Sequence, residues 1–156
     1  MLSVSQQSLA KSQETCGCID QKIDIVIIDD NKHFSEILKS LLINEGYSAT
    51  CAHDGSEGLR TILKLQPRIV VLDIQMPVLN GVEVLRQMRN HPELNGTPVI
   101  LASAERDVAS HASHYSQTNA LRKPFDLSHL SQLVHSILNT PKRQSAQSQD
   151  EFTIAS

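Results

Sequence analysis

Short runs of consecutive apolar residues alternate with helical patterns through the middle of the chain, and this alternation constrains the fold more than any other feature. The clearest runs are 25–28 (I-V-I-I), 69–72 (I-V-V-L) and 99–102 (V-I-L-A). A strand that is apolar at every position is covered on both faces, as in a parallel sheet flanked by helices. Strands that alternate with helices therefore predict an α/β fold with a doubly wound parallel sheet and right-handed crossovers.

The pattern predicts five strand–helix units. The strands are expected at 23–28, 47–52, 69–72, 99–102 and 119–122. The helices are expected where apolar residues recur with a period near 3.6, at 34–42, 58–65, 81–88, about 105–115 and 127–138. The fourth of these helical segments is polar and rich in Ser and His, so we expect a short or frayed helix there.

Composition changes at both ends of this patterned region. Residues 1–21 and 140–156 are rich in Ser, Gln and Thr and show no sustained periodicity, so we expect a disordered polar leader and a disordered polar tail. The region 22–139 is then the expected folded domain. With 156 residues and 40% apolar content, the chain has enough core for one domain.

Charge and composition exclude several classes of partner. The net charge of −3 argues against a nucleic-acid binder and against a polybasic membrane binder. Three Phe, two Tyr and no Trp are too few for a protein that works by stacking bases. The chain has no apolar run of membrane-spanning length and no signal-peptide pattern, so we expect a cytoplasmic location.

The cysteines and histidines predict no metal centre. Cys16 and Cys18 form a C-x-C in the leader, and Cys51 lies in the second predicted strand, where it is expected to act as a small buried hydrophobe. His111 and His114 have an i, i+3 spacing, but no Cys or carboxylate follows at a matching position. We therefore interpret these histidines as surface residues.

Polar side chains follow four of the five predicted strands. Asp29 and Asp30 follow the first, Asp73 the third, Ser103 the fourth and Lys123 the fifth. Parallel strands end at the same edge of a sheet, so these side chains are expected to converge. Clustered carboxylates repel one another unless a cation compensates, and oxygen ligands suit Mg²⁺. The hydroxyl and the ammonium group would hold phosphoryl oxygens, which predicts Mg²⁺-assisted phosphoryl transfer onto Asp73.

Four motifs at these positions resemble the receiver domain of bacterial two-component response regulators. They are I-V-I-I-D-D at 25–30, V-V-L-D-I-Q-M-P-V-L-N-G at 70–81, P-V-I-L-A-S-A at 98–104 and R-K-P-F at 122–125. The resemblance covers roughly 23–139. It implies a flavodoxin-like strand order 2-1-3-4-5 with five helices.

The same resemblance implies the metal and phosphate chemistry. Asp73 would accept a phosphoryl group from a phosphohistidine of a sensor histidine kinase or of a phosphotransfer protein. Asp30 and Asp73 would bind Mg²⁺ directly, and Asp29 would bind it largely through water. The backbone carbonyl of Gln75 would be a further metal ligand. The chain would signal through contacts with a downstream protein, and we do not expect it to be an enzyme with a separate substrate.

The remaining site residues have implied roles after phosphorylation. Ser103 would hydrogen-bond one phosphoryl oxygen and Lys123 would pair with another, with a cis bond between Lys123 and Pro124. Gln75 and Glu105 lie two residues beyond the acceptor and the hydroxyl, positions that influence how long the acyl phosphate survives. Movement of Ser103 would bias a two-state surface on the fourth helix, fifth strand and fifth helix.

The sequence departs from the family at the switch surface. Ala120 occupies the position where the family usually has Tyr or Phe, and Ser116-Gln117 replaces the usual Gly-Ala. The interval from Ser103 to Lys123 is about two residues shorter than is common in the family. The five site positions are all filled, so these departures concern the output surface and leave the chemistry intact.

Three alternatives differ from a phosphorylatable single-domain regulator. A pseudo-receiver scaffold would share the fold and signal without phosphate, which Ala120 would favour. A Mg²⁺-dependent phosphatase would be expected to show D-x-D after the first strand, where this chain has Asp29-Asp30. An FMN carrier would need a hydroxyl-rich and glycine-rich phosphate loop at the same place.

The 17 residues after Asn139 are too few for a helix-turn-helix unit, so we expect no DNA-binding output domain.

Overall fold

A computed structural model describes residues 22–140 and contains five parallel strands and five α-helices. The strands are β1 (Ile25–Ile28), β2 (Ala49–Ala52), β3 (Ile69–Asp73), β4 (Val99–Ser103) and β5 (Thr118–Arg122). The helices are α1 (Lys32–Asn44), α2 (Gly55–Leu65), α3 (Gly81–Arg89), α4 (Val108–Ser113) and α5 (Leu127–Asn139), and a 3₁₀ turn at Pro92–Leu94 precedes β4.

The sheet has the order β2-β1-β3-β4-β5, with every neighbouring pair parallel. This arrangement confirms the doubly wound α/β fold and the flavodoxin-like order 2-1-3-4-5. The chain order reverses beside β1, so β1 and β3 are adjacent and their carboxyl ends lie next to each other. In α/β sheets this reversal is where ligands bind.

Side chains of alternate strand residues bury two separate cores. On one face, Val26 and Ile28 of β1 pack with residues of α2, α3 and α4. On the other face, Ile25 and Ile27 pack with residues of α1 and α5. All four β1 residues are at most 1% exposed, because both faces of the sheet are covered. The central strands are therefore rigid supports for the residues that follow them.

Several element boundaries differ from the sequence-based prediction. β2 begins at Ala49 and not at 47, because Ser48 is held in the preceding turn by two hydrogen bonds to the Asp24 carboxylate. β5 begins one residue earlier than predicted, at Thr118. The short fourth helix is confirmed: α4 has six residues. The side chains of Ser113 and His114 both bond to the backbone carbonyl of Ser110, which competes with continuation of the helix.

Within residues 22–140, no helix is long and apolar enough to cross a membrane.

Cys51 lies in β2 as predicted, with a half-buried thiol. Burial raises the pKa of this thiol, so it remains protonated and weakly reactive at neutral pH. The predicted leader 1–21, with Cys16 and Cys18, lies outside the described residues, as do residues 141–156 of the predicted tail 140–156.

Candidate functional site

The residues that follow the strands meet at the carboxyl edge of the sheet. Asp29 follows β1, Asp73 is the last residue of β3 and Ser103 the last residue of β4. The register pairs Asp73 with Ala102 and Ser103 with Arg122, so each polar residue sits at the same level of the sheet as its neighbour. Sequence analysis predicted this convergence from strand ends alone, and the structure places the residues as predicted.

Asp29, Asp30 and Asp73 form an acidic cluster. Each contributes one carboxylate oxygen, and the three oxygens lie within 4.8 Å of one another. Asp29 and Asp73 are 3% and 6% exposed, whereas Asp30 is exposed to solvent. Two buried acids and one exposed acid at this spacing leave an open side through which an ion could enter with part of its hydration shell.

Lys123 is the cation that contacts this cluster. Its Nζ lies 2.7 Å from Asp29 Oδ2 and 3.5 Å from Asp73 Oδ2. The same Nζ lies 5.0 Å from the centre of the Phe34 ring, which adds a cation–π contact. One ammonium group offsets one of three carboxylates, so the ionised cluster retains two negative charges. That residual charge matches a divalent cation.

The environment of Asp73 opposes its ionisation. Burial raises its pKa, and the negative charge of Asp29 raises it further. The charge of Lys123 and a hydrogen bond from the Gln75 backbone N–H, 3.3 Å from Asp73 Oδ1, act in the opposite direction but do not cancel the effect. The pKa of Asp73 therefore lies above its ordinary value, and additional positive charge at the cluster would favour the carboxylate.

The loop after β3 holds Asp73 by close backbone packing. A Cβ on Gly81 would lie 2.1 Å from the Asp73 carbonyl oxygen, so only glycine allows the start of α3 to approach this closely. The Gly81 N–H donates to the Ile74 carbonyl at 3.0 Å, and the Asn80 side chain caps α3 by accepting from the Glu83 N–H. The phosphoacceptor candidate is thus attached to a rigid turn.

Ser103 is fully buried at the end of β4, and its hydroxyl faces its own loop. The Oγ accepts a hydrogen bond from the Glu105 N–H at 3.1 Å. The backbone carbonyl of Ser103 accepts a hydrogen bond from the Lys123 N–H at 2.8 Å, which connects β4 to the start of the β5–α5 loop. The Oγ acts as an acceptor in this bond, so the Ser103 hydroxyl proton could still be donated to a phosphoryl oxygen.

An apolar cavity of about 410 Å³ opens beside Lys123. Phe34 and Phe125 form part of its wall, with ring centres 5.9 Å apart in an edge-to-face arrangement. Ala104 and Pro124 complete the lining, and the Lys123–Pro124 peptide bond is cis, as predicted. Sequence analysis missed the contact of Phe34 with Lys123, because Phe34 reads as an ordinary core position of α1.

The donor set at the cluster fits Mg²⁺. Within the described residues, these three carboxylates are the group of acidic, His or Cys side chains with metal-binding spacing, and all of their ligand atoms are oxygens. Hard oxygen ligands with an exposed side are what Mg²⁺ prefers, whereas zinc sites use nitrogen and sulfur. The residues present therefore fit the ion that the sequence predicted.

Comparison with known proteins decides the family. A family profile described as the response regulator receiver domain matches residues 25–135, which is most of the chain. This chain belongs to the response regulator receiver domain family. The match spans all five strands, and it includes every residue of the acidic cluster together with Lys123 and Ser103.

Curated relatives of this receiver domain are longer proteins. It is 34% identical over 116 residues to the regulatory protein AtoC of Escherichia coli, covering 73% of this chain and 25% of the relative. It is 32% identical over 126 residues to the response regulator MprA of Mycobacterium tuberculosis, covering 80% of this chain and 54% of the relative. The chain thus spans between a quarter and about half of the length of these relatives.

Solved structures of similar fold are receiver domains. The receiver domain of the Francisella response regulator 1452 aligns with a TM-score of 0.67 at 29% identity, covering 74% of this chain and 95% of that one. The receiver domain of a signal transduction histidine kinase from Syntrophus aciditrophicus aligns with a TM-score of 0.69 at 25% identity, covering 79% and 95%. The chemotaxis protein CheY4 of Vibrio cholerae, at 23% identity and a TM-score of 0.68, shares the fold.

Proposed function

We propose that this receiver domain accepts a phosphoryl group on Asp73 from the phosphohistidine of a sensor histidine kinase or of a phosphotransfer protein. The observation that carries the proposal is the contact of Lys123 with a cluster of three carboxylates, one of which ends the central strand β3. This arrangement offers a nucleophile, a cation and an oxygen-ligand site for Mg²⁺ within one pocket.

The chain's own residues divide the chemistry between them. An Asp73 carboxylate oxygen attacks phosphorus, the phosphorus–nitrogen bond of the phosphohistidine breaks, and its electron pair returns to the imidazole of the donor. Asp29, Asp30, Asp73 and the Gln75 backbone carbonyl would hold Mg²⁺. When bound, this ion supplies Lewis-acid stabilisation of the phosphoryl oxygens. Lys123 pairs with one phosphoryl oxygen and Ser103 donates its hydroxyl to another.

The organisation of the chain belongs to the same proposal. Residues 22–139 act as one receiver domain that signals through contacts with a downstream protein and without binding nucleic acid or membranes. The cytoplasm is the compartment in which such a domain meets a kinase. Because the domain is consumed and regenerated as a phosphoacceptor, it takes part in its own phosphorylation without acting as an enzyme on a separate substrate.

Intact-mass analysis tests the proposal directly. Incubation of the full chain with acetyl phosphate and Mg²⁺ should add one phosphoryl group, and the adduct should be absent when EDTA replaces Mg²⁺. Asp73→Asn should abolish the adduct. Asp107→Asn is the matched control, because Asp107 is exposed, precedes α4 and makes no side-chain capping bond. An adduct that persists in Asp73→Asn would overturn the assignment of the acceptor.

A second candidate function is a phosphorylation-independent scaffold. It is favoured by Ala120, which stands half-buried in β5 where a switching aromatic side chain is usual in the family. Under this alternative the fold would display its partner surface permanently. Failure to obtain any adduct with acetyl phosphate at saturating Mg²⁺ would favour the scaffold over the phosphoacceptor.

A further inference from the structure

Three side chains form a bridge across the two loops beside the acidic cluster. The Gln75 side-chain amide, in the β3–α3 loop, donates to Glu105 Oε1 at 3.3 Å. The other oxygen of the same carboxylate, Glu105 Oε2, lies 3.7 Å from His111 Nε2 on α4. We call Gln75, Glu105 and His111 the loop bridge. The two carboxylate oxygens of Glu105 thus contact different residues, Gln75 on one side and His111 on the other.

The backbone of both loops attaches this bridge to the site. The Gln75 N–H donates to Asp73 Oδ1 at 3.3 Å, and the Glu105 N–H donates to Ser103 Oγ at 3.1 Å. The phosphoacceptor candidate and the hydroxyl are therefore each bonded to a residue whose side chain belongs to the loop bridge. Each of these two bonds lies within one loop, and the side-chain bond between Gln75 and Glu105 joins the two loops to each other.

His111 fixes the geometry of Glu105 from outside the site. It lies in the last turn of the short helix α4, where its backbone N–H donates to the Asp107 carbonyl at 3.1 Å. The Glu105 and His111 side chains are 38% and 40% exposed, so without this contact the carboxylate would be free to adopt other rotamers. With the contact, Glu105 keeps Oε1 turned toward the Gln75 amide.

We propose that His111 is a positioning residue that sets the lifetime of the phosphoryl group on Asp73, acting through Glu105 and Gln75. This inference rests on the proposed function, since it concerns the stability of the phosphorylated state. It also gives α4 a direct connection to the phosphorylation site, in a chain whose β5 has Ala120 at the position of the usual switching aromatic residue.

The direction of the effect follows from the hydrolysis reaction. A water oxygen attacks phosphorus, the bond from phosphorus to the Asp73 oxygen breaks, its electron pair returns to the Asp73 carboxylate, and inorganic phosphate and a proton leave. While the loop bridge is intact, the Gln75 amide and the Glu105 carboxylate bond to each other. Releasing them makes two groups available to orient water and separates the loops, so hydrolysis accelerates.

Decay of the phosphorylated full chain tests this proposal. After phosphorylation with acetyl phosphate and Mg²⁺, the donor is removed and the adduct is followed by intact mass. His111→Ala should shorten the half-life roughly two- to fivefold, the range expected for the loss of one partly exposed side-chain contact. His111→Gln retains an N–H donor and should restore most of the half-life. His114→Ala is the matched control, because His114 caps the C-terminus of the same helix and its side chain bonds to the Ser110 carbonyl.

Two further measurements separate the positioning role from a general loss of structure. In the Glu105→Ala background, His111→Ala should have no additional effect on the half-life, since its action passes through Glu105. In the unphosphorylated protein, the NMR signals of the Gln75 side-chain amide should shift in His111→Ala and stay unchanged in His114→Ala. The thermal unfolding midpoints of both variants should match that of the wild type.

The outcomes distinguish this inference from the proposed function. If wild type takes up a phosphoryl group and His111→Ala decays at the wild-type rate, this inference is overturned and the proposed function stands. An effect of His111→Ala that persists undiminished without Glu105 also overturns it. If wild type takes up no phosphoryl group, both proposals are overturned together.

Discussion

Lys123 pairs more closely with Asp29 than with Asp73, at 2.7 Å against 3.5 Å from Nζ to the nearer carboxylate oxygen. Asp29 is almost fully buried, so this ion pair is little screened by solvent. The ammonium group of Lys123 is therefore paired with Asp29, a carboxylate that a divalent cation at this cluster would also bind. A divalent cation at the cluster would compete with Lys123 for the charge of Asp29, and the lysine would then be available to a phosphoryl group.

This competition predicts that Lys123→Ala binds Mg²⁺ more tightly than wild type. Removing one positive charge from a partly buried cluster should strengthen binding by about 1–2 kcal/mol, or roughly five- to thirtyfold. The measurement is the shift of the thermal unfolding midpoint as a function of MgCl₂ concentration at constant ionic strength. Lys64→Ala, on the exposed side of α2, is the charge-matched control. Equal or weaker Mg²⁺ binding by Lys123→Ala would contradict the competition.

Asp73→Asn should stabilise the metal-free protein. Burial and the neighbouring Asp29 raise the pKa of Asp73 in the folded state, so the ionised carboxylate costs folding free energy at neutral pH. We expect the free energy of unfolding to rise by about 1 kcal/mol at pH 7 in EDTA. In the wild type, Asp73 binds a proton more tightly in the folded state than in the unfolded state. The stability difference between wild type and Asp73→Asn should therefore shrink as the pH falls toward 4. Urea unfolding at both pH values measures the difference.

The Asp24 carboxylate, at the other end of the sheet, should make the free energy of unfolding depend on pH in the opposite direction. Burial would raise its pKa, but hydrogen bonds from the Ser48 N–H and hydroxyl and from Arg68 outweigh it, and the pKa lies below its ordinary value. The stabilisation is present above pH 4 and is lost as the pH falls through the lowered folded pKa. Asp24→Asn should cost about 1 kcal/mol at pH 7. Its unfolding midpoint should converge with that of wild type near pH 2, and a pH-independent difference would refute the charge argument.

Val78 is a strained position whose replacement should stabilise the protein. It is fully exposed and has a φ of 68°, a left-handed conformation that β-branched residues rarely adopt. Val78→Asn should raise the free energy of unfolding by about 0.5–1 kcal/mol, because Asn tolerates this region. Gly46→Ala provides the converse, since Gly46 has a φ of 94° and open space around it. That change should be destabilising, and calorimetry should therefore show midpoint shifts of opposite sign.

The fold and the membership of the site could be predicted because both depend on short-range patterns. Runs such as 25–28 and 69–72 mark strands buried on both faces, and in a parallel sheet the residue after each strand lies at one edge. Asp73 and Lys123 could thus be assigned to the same pocket although 50 residues separate them. The strand order followed from the family resemblance and not from the periodicity.

The contacts that distinguish this chain depend on tertiary geometry and could not be predicted. The preference of Lys123 for Asp29 is set by where the β5–α5 loop turns. The bond between Gln75 and Glu105 joins two exposed side chains from different loops, which no spacing in the sequence indicates. The positive φ of Val78 occurs in a tight turn in which the Leu79 N–H donates to the Pro77 carbonyl at 2.8 Å, whereas a β-branched residue favours an extended chain.

The strand order also determines when the site can first exist. Asp29 directly follows β1, Asp73 ends β3 and Lys123 directly follows β5. Asp29 and Lys123, which are in contact, are 94 positions apart along the chain. No fragment ending before β5 can assemble the cation with the acids. If the chain reacts as proposed, a nascent polypeptide that still lacks β5 would have the acids without the lysine and would not yet respond to its donor.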